Sequence, residues 1–246
     1  IKAAEPDHIA VTGDLVNIAL DIEIDMARQW LEALGAPENV SVVPGNHDAY
    51  VPGALDKACR AWGGFMTGDG ANAPVDSNAF PYLRVRGPAA LIGTSSAVAT
   101  APFMANGFFR DPQAERLRGL LDQAARQDLF RVVMIHHSPL RNAVSQHKRL
   151  YGIRRFQRVI REHGAELVLH GHSHEPTAGA MEGPSGRTVP VIGVSAAGQG
   201  VGGRHPAAQW NLFEISRKAG NWSVKLTRRG LTGAATPVCE LAIAEL

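Results

Sequence analysis

The sequence is poor in the features that would place it in several common classes. It has only two cysteines, Cys59 and Cys239, far apart and without a partner motif. Neither a disulfide framework nor a cysteine-based zinc site is therefore indicated, and a reducing, cytoplasmic compartment is the expectation. No apolar run reaches the ~18 residues of a membrane span. Lys and Arg outnumber Asp and Glu by 25 to 23, a formal charge of +2 that is too small to imply nucleic acid. The one basic concentration, residues 141–161, reads as a solvated helix face as readily as a phosphate-binding surface. There is no internal repeat, no low-complexity segment and no secretory signal pattern, although the sequence opens on Ile1 rather than Met. The Gly-rich "GQGVGG" (198–203) lacks the spacing of a phosphate-binding glycine motif and reads as a plain loop. Nothing marks an oligomeric state.

What is present is an ordinary globular composition, 45% hydrophobic and 20% charged over 246 residues. Such a chain can bury a substantial core. Short apolar runs alternate with helical segments. "HIAVTGDL", "NVSVVPGNHD", "AALIGTSS", "FRVVMIHHSP" and "AELVLHGHSH" are strand candidates. Between the first two, Ile22, Met26, Trp30 and Leu34 recur every four residues and predict one buried helix face. A helix is expected around residues 54–62. Another follows Asp111 and Pro112, a natural N-cap and N1 pair, and "RRFQRVIREHG" predicts a further helix ending at Gly164. Downstream, "TVPVIGVSAAG", "WNLFEIS" and "WSVKLTR" read as strands, the last two joined by a turn at "RKAGN". The alternation favours an α/β fold with a mostly parallel sheet finished by antiparallel strands.

Chemistry concentrates where the apolar runs stop. Three of the ten histidines, His170, His172 and His174, fall within five residues. Imidazole is the commonest metal-binding side chain, and on an extended stretch His172 and His174 would point to one side. Asp14 ends "VTGD", Asn46 and His47 end "VVPGNHD", and His136 and His137 end "VVMIHH". Each fragment alone is better explained as a turn or a buried polar residue. Four of them at equivalent positions are not, because ligands in open α/β sheets bind at the carboxyl ends of the strands.

These residues resemble the calcineurin-like metallophosphoesterases, whose ordered pattern is Asp-x-His, Gly-Asp, Gly-Asn-His-Asp/Glu, a lone or paired His, and Gly-His-x-His. The last four stand here as Gly13-Asp14, Gly45-Asn46-His47-Asp48, His136-His137 and Gly171-His172-Ser173-His174. The resemblance extends over essentially the whole chain. It implies a single domain over residues 1–246, built as a four-layer αββα sandwich of two mixed sheets flanked by helices. It also implies two divalent ions, and mixed nitrogen and oxygen ligands suit Mn, Fe or Zn. By the same resemblance Asp14 bridges the ions, and Asn46, His136 (or His137 in its place) and His172 hold the second. His174 helps hold the first, and His47 contacts phosphate or protonates the leaving oxygen. Asp48 is expected to orient His47, and His170 to pack or to support a ligand from behind.

The opening Asp-x-His of the family does not occur in the sequence; Asp7 and His8 are adjacent and would face opposite sides of a strand. The expectation is that a strand carrying it precedes Ile1; the other possibility is a one-metal or inactive relative. The implied activity is hydrolysis of a small phosphodiester, with "HHSP" and "LHGHSH" most similar to the bacterial branch that contains cyclic-nucleotide phosphodiesterases. The alternatives are a phosphomonoesterase, a nuclease, a hydrolase of lipid-linked pyrophosphates or a catalytically inactive binding relative. An apolar lid would favour the lipid substrate, and "TAPFMANGFF" (100–109) is the candidate for it.

Overall fold

A computed structural model describes residues 1–72 and 76–246. Its centre is a six-stranded sheet in the order β3 (Tyr82–Arg86), β4 (Ala89–Gly93), β6 (Phe130–Met134), β8 (Leu167–His170), β10 (Thr188–Gly193) and β9 (Ala178–Glu182). The four inner strands run parallel, and β3 and β9 are antiparallel edges. Facing it are a parallel pair, β1 (Ile9–Val11) with β2 (Val40–Val42), and an antiparallel sheet of β11 (Gln209–Lys218), β12 (Asn221–Gly230) and β13 (Cys239–Glu245). A short parallel pair, β5 (Gly107–Phe108) with β7 (Leu150–Tyr151), ties two loops together.

Strand periodicity separates the layers. On β6 and β8, Phe130, Val132, Leu167 and Leu169 point toward Val224 and Leu226 of β12 and fill the space between the sheets. The intervening Val133 and Val168 point the other way. They pack on Leu117 and Leu121 of α3 (Asp111–Arg126) and on Phe156 and Ile160 of α4 (Ile153–His163). On the outer side, Val40 and Val42 pack on α1 (Asp21–Leu34) and α2 (Ala54–Trp62). The stack is helix, sheet, sheet, helix, as the resemblance implies.

Two local expectations need correction. Helix α1 forms, but it buries Ile24, Ala27 and Leu31; Ile22, Met26 and Trp30 are 67%, 63% and 45% exposed. Two apolar stripes run along this helix. The stripe with a small residue at its middle is the one that approaches α2, where the Trp62 indole N–H donates to the Ile24 carbonyl at 2.9 Å. Asp111 is the first residue of α3 rather than its cap, and its carboxylate pairs with Arg155 of α4.

The inner strands are also locked in register at their amino ends. Arg131 of β6 forms a bidentate pair with Glu166 at 2.7 and 2.8 Å, and donates to the His163 carbonyl at the end of α4. Both side chains are about one-tenth exposed, at 11% and 10%. Removing one partner of such a buried pair costs about 3–5 kcal/mol, because the other charge is left uncompensated. This rigidity sets where the loops at the opposite, carboxyl ends emerge.

Candidate metal centre

The loops that leave β1, β2, β6 and β8 meet at the shared carboxyl edge of the two facing layers. The chain turns sharply there. Gly13 has φ +90°, and a Cβ on it would lie 2.5 Å from the Gly45 amide nitrogen. At Gly45 a Cβ would lie 2.1 Å from Asp14 Oδ1. Only hydrogen fits at either position, so the two glycines let the two loops touch. Asp14, His172 and His174 adopt left-handed backbone at φ 59°, 66° and 57°. Non-glycine residues tolerate this at a cost of roughly 1–3 kcal/mol each, and it is characteristic of ligand sites.

Three groups of different chemistry converge. His136 Nε2 lies 3.2 Å from Asp14 Oδ2 and 3.2 Å from Asn46 Oδ1. His136 Nδ1 donates to the Thr12 carbonyl at 2.6 Å, which turns Nε2 toward the two oxygens. The His172 ring stands 5.1 Å from that of His136. Its Nε2 donates to the Lys148 carbonyl at 2.9 Å, which leaves Nδ1 with a lone pair. Atoms sharing one ion through bonds of about 2.1 Å sit about 3.3 Å apart, so these contacts match a coordination shell. A carboxylate oxygen, an amide oxygen and imidazole nitrogens fit a divalent cation of the Mn, Fe or Zn type.

The paired histidines have different environments. The nitrogens offered by His136, His137 and His172 all lie within 4.8 Å of one another, so proximity alone admits His137. Yet His137 Nδ1 accepts from the Ser96 hydroxyl at 2.8 Å, and its Nε2 donates to the Ala105 carbonyl at 3.1 Å. Both nitrogens are already used, whereas His136 aims one at the carboxylate.

Electrostatics follow the same division. Burial works against ionisation of Asp14, but His136 and the His47 backbone N–H at 2.9 Å outweigh it and hold the carboxyl well below its usual range. Burial lowers the pKa of His136, but the Asp14 charge prevails and raises it; a bound cation would take the place of that proton. Burial, reinforced by charge on His136, pushes His172 down to about 3 and His137 well below its ordinary value. Burial lowers His174 as well. These are neutral imidazoles, the form that binds metal.

Asp48 departs from its expected partner. Its fully buried carboxylate accepts backbone N–H groups from Gly45 (2.7 Å), Asp14 (2.9 Å), Leu15 (2.9 Å) and Val16 (3.3 Å). Burial and the nearby Asp14 charge push it up to about 6. It stitches the Asp14 and Asn46 loops together and leaves the His47 ring to others. His47 Nδ1 instead donates to the Asn17 carbonyl, and the ring lies over Tyr50 at 6.0 Å. Two further expectations resolve at the last loop. Strand β8 ends at His170, so 171–174 is a turn, and His172 and His174 diverge rather than share a face. His172 joins His136; the His174 ring faces His205 at 5.3 Å. His170 is a packing residue, donating to the Gly171 carbonyl and accepting from Thr177.

Sequence reasoning gave no sign of the Thr12, Ala105 and Lys148 carbonyls, of Ser96, or of His205. Backbone acceptors leave no mark in a sequence, and His205 follows a glycine-rich stretch without any register.

Comparison with known proteins agrees with this fold. The family model for calcineurin-like phosphoesterases matches residues 1–176. No curated protein matches the chain. Among solved structures, a dimetal phosphatase from Danio rerio superposes with a TM-score of 0.58 at 11% identity, covering 99% of this chain and 84% of its own. A double mutant of Vps29 from Entamoeba histolytica aligns at 12% identity over 96% of this chain and 97% of its own, with a TM-score of only 0.32. Among the described residues no helix is long and apolar enough to cross a membrane. With fold, loop constellation and family match in accord, the chain belongs to the calcineurin-like phosphoesterase family and is a hydrolase of phosphoric ester bonds.

Proposed function

We propose that the protein is a phosphodiesterase with a dinuclear metal centre, formed as one domain over residues 1–246. Asp14, Asn46, His136 and His172 would hold one ion, and Asp14 with His174 would hold the other. The observation that carries this reading is the convergence of Asp14 Oδ2 and Asn46 Oδ1 on His136 Nε2, each at 3.2 Å, with the tautomer set by Thr12. When bound, such an ion pair clamps a phosphoryl group and lowers the pKa of a shared water. The chain's own residues do the rest. His47 engages Asn17 through Nδ1, which turns Nε2 outward; with both ring nitrogens protonated, Nε2 would meet the leaving oxygen and give it a proton. Asp48 is a positioning residue that holds the Asp14 and Asn46 loops at their separation.

The sequence similarity around His136-His137 and Gly171-His174 favours a small diester, with a cyclic nucleotide as the candidate. The cytoplasm is the proposed compartment, supported by two free thiols, Cys59 and Cys239. One observation favours a second reading. Phe103 and Met104, in the loop whose Ala105 carbonyl meets His137, are 98% and 40% exposed, which would suit a lipid-linked phosphoester. The experiment compares bis(p-nitrophenyl) phosphate with p-nitrophenyl phosphate. A diester preference of roughly tenfold or more in kcat/KM, about 1.4 kcal/mol in the transition state, is expected. A preference for the monoester would overturn the diesterase reading and leave the family membership intact.

A further inference from the structure

The loop that follows β10 brings a histidine to the less complete side of the site. Its base is closed by the Ala208 N–H, which donates to the Gln199 carbonyl at 2.8 Å, and Ala208 in turn accepts from Leu231 on the β12 side. Gly202, at φ +82°, lets the chain double back. The His205 ring thereby reaches 5.3 Å from the His174 ring, at 71° to it. His205 Nδ1 lies 3.1 Å from Glu175 Oε1. That pairing fixes the tautomer and leaves Nε2 with its lone pair.

Two independent geometric facts point the same way. Imidazoles bound to one tetrahedral ion through bonds of about 2.1 Å place their ring centroids about 5 Å apart. The 5.1 Å between His136 and His172 and the 5.3 Å between His174 and His205 both meet that condition. A carboxylate on the far nitrogen is also the usual second support of a metal-binding histidine, and Glu175 supplies it to His205. Neither residue has another evident duty. Both are partly exposed, at 34% and 46%, so packing does not require the pair.

We infer that His205 is a protein ligand of the ion held by Asp14 and His174, with Glu175 as its positioning residue. The divalent cation is one that favours imidazole, such as zinc. The inference rests on the dinuclear reading proposed above. It also places a ligand outside residues 1–176, the stretch the family model matches.

The test is calorimetric titration of the metal-stripped full chain with ZnCl2. Wild type is expected to take two ions per chain, one tightly and one less tightly. Asn46→Ala should lose the tight ion. His205→Ala and His205→Gln should keep it and weaken the other at least tenfold, and Glu175→Gln should weaken that same ion by roughly tenfold. Glu175→Asp should recover part of the affinity, which a merely structural role would not produce. His163→Ala, altering a partly exposed histidine on α4, should change nothing. Wild type that binds no zinc would overturn the dinuclear reading itself. A single ion in wild type would likewise overturn the dinuclear reading, whereas two ions bound with wild-type affinity in both His205 variants would overturn the role of His205 alone.

Discussion

The two halves of the site are built differently. Around His136, the residues are buried and the ring nitrogens have fixed directions. Gly13 and Gly45 leave no room for a side chain, and Asp48 ties the loops with four backbone hydrogen bonds. Around His174, the histidine is half-buried, and its neighbours His205 and Glu175 are 34% and 46% exposed. The first half is assembled before any ion arrives, so little ordering entropy opposes binding. The second draws on a glycine-rich, partly exposed loop, and any ordering of it on binding would take up part of the binding energy. On the proposed dinuclear reading, a tight ion beside a more readily exchanged one is the expected consequence.

The harshest way to break this contrast is to remove the group proposed to serve both halves. Asp14→Ala should lose both ions, seen as metal content by atomic emission, together with roughly 10³-fold or more of the rate if the ions supply about 4 kcal/mol. Retention of both ions would show that Asp14 does not bridge. Next in size is His47→Ala, which should keep its metal and lose rate by ~10²- to 10⁴-fold, as expected of a general acid. Wild-type turnover in that variant would remove His47 from the chemistry.

The adjacent histidines sharpen the contrast within the buried half. His136→Ala should release the tight ion. His137→Ala should keep both ions but lose stability, by about 1–3 kcal/mol in chemical unfolding, because it strands Ser96 and the Ala105 carbonyl. The reverse pattern of metal loss would exchange their roles.

What the sequence made legible, and what it hid, follows the same line. Asp14, Asn46, His136 and His172 lie within three residues of the end of an apolar run, and a parallel sheet brings the carboxyl ends of such runs to one edge whatever their separation. His205 follows no strand end of that kind, and only the closed loop 199–208 delivers it. Helix α1 was legible from its four-residue spacing, but not its buried face, because Ile22-Met26-Trp30 and Ile24-Ala27-Leu31 are both plausible stripes. Strands β9 ("AGAME") and β13 ("CELAIAE") have few β-branched residues and are held mainly by antiparallel pairing to β10 and β12. The task of Asp48 was hidden for another reason. Its partners are backbone amides, three of them more than thirty residues away in sequence.

The smallest effect on the site is expected far from it, at the amino end of β1, and serves as a control on all the others. Burial, followed by the charges of Arg86 and Arg84, lowers His8 to about 4 from 6.5. Its Nε2 pairs with the Ser41 hydroxyl at 2.8 Å. Since the unfolded chain takes up this proton first, the stability that His8 contributes is complete above pH 6.5 and is lost as pH falls toward 4. His8→Gln should flatten that part of the stability–pH curve without altering metal content. An unchanged slope would assign acid sensitivity to other groups.

The most direct test of the unequal centres is activity measured against equivalents of metal. Stripped protein is titrated with MnCl2 while hydrolysis of bis(p-nitrophenyl) phosphate is followed. Little turnover is expected up to one ion per chain, then a steep rise to full rate by the second, with all activity abolished by chelator. Full rate at one equivalent, or hydrolysis that persists in chelator, would contradict a mechanism built on two unequal centres.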